Sequence, residues 1–122
     1  MSVREVILVG HCGFDAGALR RFAQTQLPEA RIGEAYEAAS LDTAGADCLL
    51  LINRVLDGSF ADESGTELIR RLASRPDPPR MLLISNYADA QAAAEAAGAK
   101  PGFGKSELRD PVAAQRLRDA AA

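Results

Sequence analysis

Five side chains with polar or reactive chemistry fall immediately after apolar runs. His11 and Cys12 follow the run 6–9, Asn53 follows 48–52, Ser85 follows 81–84, and Lys105 follows 101–103. A thiol beside an imidazole suggests a nucleophile with its base, or a soft-metal site. Neighbours on one strand end point in opposite directions, so neither arrangement is expected. No third soft ligand is close in sequence, and Cys48 opens its run at the far end of the sheet. His11 therefore reads as a structural or loop-contacting histidine. Ser85 reads as a hydroxyl that serves a loop amide rather than as a nucleophile. Asn53 carries no charge and is a poor nucleophile, and its amide is expected to hold the backbone of the following loop. Lys105 is expected to face Asp57 or Asp62 folding inward, the amide oxygen of Asn53, or solvent. Glu63 lies on that same loop, and Arg54 offers a positive charge to a partner's carboxylate.

The elements that must position these groups alternate along the chain. The run 6–9 is continuous and β-branched at both ends, as expected of a strand covered on both faces. A helix is expected over 15–26, with Asp15 as a possible cap and Pro28 as its stop. A short strand over 31–35 and a short alanine-rich helix over 36–43 follow. After the strand 48–52 comes a long polar loop, then a helix carrying Leu68, Ile69 and Leu72, capped by Ser64 or Thr66. Successive prolines between 75 and 79 form a stiff connector. The strand 81–84 and a helix over 89–97 ending at Gly98 come next. Residues 101–103 suit a short edge strand, where proline is tolerated, and a last helix spans 106–120. This βαβαβαβαβα order predicts a three-layer α/β fold with a five-stranded parallel sheet, order 2-1-3-4-5. In such sheets sites form beyond the carboxyl ends of the strands, where the polar residues lie.

Those strand ends make the chain resemble the receiver domains of bacterial two-component response regulators, over essentially its whole length. In that family the first strand ends in paired acids that hold Mg²⁺, and the third ends in the phosphoacceptor aspartate. A threonine or serine after the fourth and a lysine after the fifth bond the phosphoryl group. On this sequence the acids fall on His11 and Cys12, the acceptor on Asn53, the hydroxyl on Ser85 and the lysine on Lys105. The three acidic positions have lost their acids. The resemblance therefore implies a flavodoxin-like receiver fold whose phosphorylation chemistry is absent, a pseudo-receiver. The switch aromatic usual three positions before the lysine is Gly102 here, and the loop after Asn53 exceeds the family's usual length.

The 122 residues make a single domain, whole or the N-terminal part of a longer regulator, and 48% of them are hydrophobic, enough for an unaided core. A net charge of -3 argues against direct nucleic-acid binding, since each basic cluster is interleaved with acids. Cys12 and Cys48 read as small buried hydrophobes in a reducing compartment. No signal peptide or membrane-length apolar run is present, so a cytoplasmic protein is expected. No metal or cofactor is implied, because 10–13 lacks the glycine spacing of a nucleotide loop. The expected role is phosphorylation-independent interaction with a partner protein or with other domains of the same regulator; a homodimer is compatible with it. By family resemblance the interaction surface would include Lys100, Phe103, Arg109, Asp110 and Arg116. Two other readings are a residual switch responding to a ligand, an anion or protonation in the cleft, and an enzyme such as a flavin protein.

Overall fold

The computed structural model describes residues 2–122. Its centre is β3 (Cys48–Asn53), in which every residue from Cys48 to Ile52 is buried. β1 (Glu5–Val9) and β4 (Arg80–Ile84) flank it in parallel. β2 (Arg31–Ala35) and β5 (Lys100–Phe103) form the edges, giving the order β2-β1-β3-β4-β5. The register pairs Val9 with Ile52 and Asn53 with Ile84, so the carboxyl ends of the three inner strands finish level.

Period-two alternation sends the strand residues to two cores. Val6, Leu8, Leu49, Leu51, Leu82 and Ile84 pack beneath α1 (Gly13–Gln26) and α4 (Pro111–Ala121). Val9, Leu50, Ile52, Met81 and Leu83 meet Leu68, Ile69 and Leu72 of α2 (Gly65–Ala73) and Ala94 of α3 (Ala88–Ala97). Full burial of each Leu, Ile or Val side chain contributes about 1.5–3 kcal/mol relative to exposure. Among the described residues no helix is long and apolar enough to cross a membrane.

Local chemistry sets the helix ends. The Ser64 hydroxyl accepts from the Glu67 amide at 3.2 Å, which starts α2. Gly98, at φ +124°, ends α3 in a conformation that side chains resist. Several expected boundaries differ. The helix expected over 36–43 is only a 3₁₀ turn, Ala38–Leu41, because the stretch is too short to propagate and only Leu41 is buried. The last helix starts at Pro111, where proline fits the first turn and Asp110 caps Val112, while Lys105–Glu107 forms a separate 3₁₀ turn. The first helix begins at Gly13, so Cys12 is its cap residue and Asp15 sits within its first turn. Cys12 is consequently exposed rather than buried; Cys48 is buried.

Phe103 was expected on an interaction surface, yet it is fully buried. Alternation along β5 turns it toward α1, where its ring meets Phe22 edge-on at 5.5 Å. Three more residues of that surface are accounted for. The Arg116 guanidinium donates to the Gly102 carbonyl at 2.6 Å, the Asp110 carboxylate caps α4, and Lys100 lies on the outer strand. Arg109 is exposed.

Candidate functional site

The level ends of β1, β3 and β4, with the turn after β5, enclose a small crevice. Asn53 sits at its floor as the last residue of β3. Its Nδ2 donates to the Val55 carbonyl at 2.7 Å and to the Gly10 carbonyl at 3.0 Å. Two carbonyl acceptors fix the orientation of the amide, because the opposite flip would set oxygen against oxygen. Its Oδ1 accepts from Lys105 Nζ at 3.4 Å, and the stronger partner of that amine is the Asp15 carboxylate at 2.9 Å. Lys105 thus faces Asp15 and Asn53, and not Asp57 or Asp62. Asp15 also accepts from the Cys12 thiol at 3.2 Å. The Lys105 hydrogen bond, seconded by Cys12, holds the Asp15 carboxyl below its ordinary value of 3.8.

His11 is 1% exposed and turns under the strand ends, away from solvent. Its Nε2 lies 2.8 Å from the Leu51 carbonyl, which can only accept. Nε2 therefore carries the hydrogen, and Nδ1 is a bare acceptor buried without a hydrogen-bond partner. Burial is the main reason its pKa falls from 6.5 to about 4, so the ring is neutral at physiological pH. His11 and Cys12 diverge, one inward and one outward, and do not form a nucleophile–base pair. Among the described residues no three His, Cys, Asp or Glu side chains are grouped to hold a metal ion.

The long loop after β3 runs back across the sheet. The Asp57 amide donates to the Gly10 carbonyl at 2.9 Å, and the Ser59 amide donates to the Tyr36 carbonyl at 2.7 Å. An isolated parallel bridge joins Glu37 to Ser59. Gly58 permits this crossing. It adopts φ +119°, and a Cβ there would lie 2.2 Å from the Tyr36 carbonyl oxygen. Leu56 and Phe60 anchor the loop on the core below. Its acids stay clear of Lys105: Asp62 pairs with Arg71 at 2.9 Å, and Asp57 and Glu63 are exposed.

On the other wall, the Ser85 Oγ accepts from the Tyr87 amide at 3.2 Å. The Arg54 guanidinium lies over the Tyr87 ring, 5.2 Å from its centre. Gln91 of α3 occupies the space beside Gly102. Its Nε2 donates to the Leu83 carbonyl at 2.9 Å and to the Ser85 carbonyl at 3.1 Å. A Cβ at position 102 would stand 2.3 Å from the Leu83 oxygen and 2.7 Å from Gln91 Oε1, so no side chain fits there. Sequence reasoning missed Gln91 and Tyr87 and treated Asp15 only as a helix cap. A long uncharged polar residue in an alanine-rich helix, level with Gly102, was the available signal for Gln91.

The crevice holds about 140 Å³, bounded by Asn53, Arg54, Ser85, Asn86, Tyr87 and Lys105. That is room for about four or five waters or one small acid group, well short of a drug-sized ligand. A larger concavity, about 830 Å³, opens at the other end of the sheet around Arg4, Leu27 and Arg31. It is a broad surface hollow remote from the polar strand ends.

The comparisons that match are structural. The fold matches the signal receiver domain of a DNA-binding response regulator from Colwellia psychrerythraea 34H with a TM-score of 0.68 at 19% identity, covering 96% of each chain. A receiver domain from Rhodospirillum rubrum matches at 0.63 and 13% identity, covering 96% of this chain and 90% of that one. The phosphorylated cyanobacterial phytochrome response regulator matches at 0.63 and 13%, covering 99% and 97%. No protein-family model matches the chain, and no curated protein does. The architecture is the flavodoxin-like fold of response-regulator receiver domains.

Proposed function

We propose that the chain is a signalling module of receiver type that operates without phosphorylation, as a non-enzymatic interaction domain. One observation carries this reading. The acceptor position is an amide whose N–H groups are spent on Gly10 and Val55, while the lysine beside it is neutralised by Asp15.

The divalent ion that the fold family implies does not fit these residues. Mg²⁺ takes hard oxygen ligands in octahedral geometry. The two strand-end positions offer a buried imidazole and a thiol, and Asn53 turns nitrogen, not oxygen, toward the neighbouring carbonyls. Among the described residues the carboxylate that reaches Lys105 is Asp15, and it already serves that cation. Without a nucleophilic oxygen and a seated ion, phosphoryl transfer has neither its acceptor nor its charge compensation.

What remains is a constant surface for a partner protein or for other domains of a regulator. The fixed loop and the Gln91 plug, which leaves no space for a moving aromatic, support constancy. Incubation with acetyl phosphate and Mg²⁺ followed by intact mass measurement tests this. We expect an unchanged mass; a stoichiometric phosphate adduct would overturn the reading.

A further inference from the structure

An open sheet ends in two strands whose outer peptide groups have no neighbour, and such edges invite pairing with other chains. Here β2 and β5 are those strands. The Arg31 amide donates to the Arg4 carbonyl, and the Ala35 carbonyl accepts from the Gly10 amide, so the odd residues of β2 face β1. The peptide groups of Ile32 and Glu34 therefore point off the sheet. β2 keeps an unbroken register with β1 and contains no proline. Nothing in its backbone spoils it as a template.

A side chain from α1 reaches round to this edge instead. Arg20 donates from Nη1 to the Ile32 carbonyl at 3.0 Å and from Nη2 to the Glu34 carboxylate at 2.6 Å. The other oxygen of that carboxylate accepts from the Tyr36 hydroxyl at 2.7 Å, which fixes Glu34 as an anchor. The Arg20 and Glu34 side chains are 34% and 30% exposed, so the contact lies on the surface and not in the core. The far edge repeats the device. The Phe103 carbonyl accepts from the Ser85 amide, and the Gly102 carbonyl accepts from Arg116 of α4 at 2.6 Å. β5 has further obstacles, since Pro101 has no N–H and the register against β4 shifts between Leu82 and Ile84.

We infer that Arg20 is a latch that closes the β2 edge against the same strand of a second copy of the chain. The occupant follows from the strand itself. Placed antiparallel across a two-fold axis at Gly33, two β2 strands set Ile32 opposite Glu34 of the other copy, twice over. Every outward peptide group of the strand is then bonded. Glycine meets glycine at the axis, where pairs without hydrogen bonds approach closest. That pairing needs the Ile32 carbonyl, the atom that Arg20 holds. Arg116 closes an edge that Pro101 and the register shift already spoil, so its loss alone opens nothing. The latch is independent of the phosphorylation reading, and a phosphate adduct would leave it untouched.

The test compares the whole chain with Arg20→Met, which keeps a long apolar stem and removes the donors. Sedimentation equilibrium over a range of concentrations gives the association, and amide hydrogen exchange locates it. We expect Arg20→Met to dimerise at least about tenfold more tightly than the parent chain, with exchange slowed at Ile32 and Glu34. Glu34→Ala, which removes the anchor of the latch, should associate in the same way but more weakly. Arg20→Met decides where it folds, and Glu34→Ala decides where it does not. Arg116→Met should associate no more than the parent. A deciding variant that sediments like the parent, or that associates without protecting the amide of residue 32, would overturn the inference. So would strand pairing of the parent chain through Ile32 and Glu34, or pairing of Arg116→Met.

Discussion

On the side of the crevice built by β1 and β3, the polar groups are neutral and turned into the fold, His11 Nδ1 being buried without a partner. On the side completed by the turn after β5, charge and solvent access remain. His11 is buried and uncharged and Asn53 bonds two carbonyls, whereas Lys105 stays partly exposed against Asp15. The strand ends carry His11, Cys12 and Asn53, and Lys105 finds its counter-ion in the first turn of α1. The difference teaches that a crevice with neutral strand ends can balance its cation through a carboxylate from a neighbouring helix.

Acid titration should break the comparison most strongly, because it charges the neutral wall. In the folded chain His11 takes a proton only near pH 4, while the unfolded chain takes it near 6.5. The unfolded state therefore binds more protons in that window, and stability falls as the pH drops from 6.5 to about 4. The cumulative loss is about 3 kcal/mol and levels off below. Urea unfolding across pH 4–7 measures it, and His11→Leu should flatten the dependence whatever it does to stability itself. Asp15 and Glu34, held below 3.8 and 4.5, contribute stability that is present above those values and disappears at still lower pH.

A smaller effect comes from Asn53→Asp, which restores the acid on the neutral side alone. The substitution withdraws two donated hydrogen bonds and sets a carboxylate against the Gly10 and Val55 carbonyls. Stability should fall by about 2 kcal/mol, partly offset by Lys105, as read from the urea midpoint. Phosphorylation should stay absent, because His11 and Cys12 still supply no carboxylates for the cation.

The smallest change sharpens the charged side. Asp15→Asn removes the partner of Lys105 in a setting about one third exposed for both side chains. A double-mutant cycle with Lys105→Met should give a coupling below about 1 kcal/mol. A much larger coupling would mean that the pair is structurally essential and that the two walls are not independent.

The sheet was legible because its inner strands are unbroken apolar runs, which only a doubly covered parallel sheet uses. The edge β5, weak by propensity, followed from the alternation of the preceding elements. Alanine content misled at 36–43, since helix propensity cannot act where too little surface is buried. At the site, Asn53, Ser85 and Lys105 were legible from strand ends. The Asp15–Lys105 contact was not, because the partners are separated by 90 residues, one in the first turn of α1 and the other in the 3₁₀ turn after β5. Phe103 was misplaced because the interaction surface was carried over from the family by element, whereas alternation along β5 turns this residue inward.

The central claim is that nothing in this crevice seats a divalent ion beside an acceptor. Titrating the labelled chain with Mg²⁺ and beryllofluoride, with amide spectra as the readout, tests it most directly. The account predicts no saturable shift at Asn53, Ser85 or Lys105 with either reagent or both. A saturable, Mg²⁺-dependent shift at those three residues would contradict it.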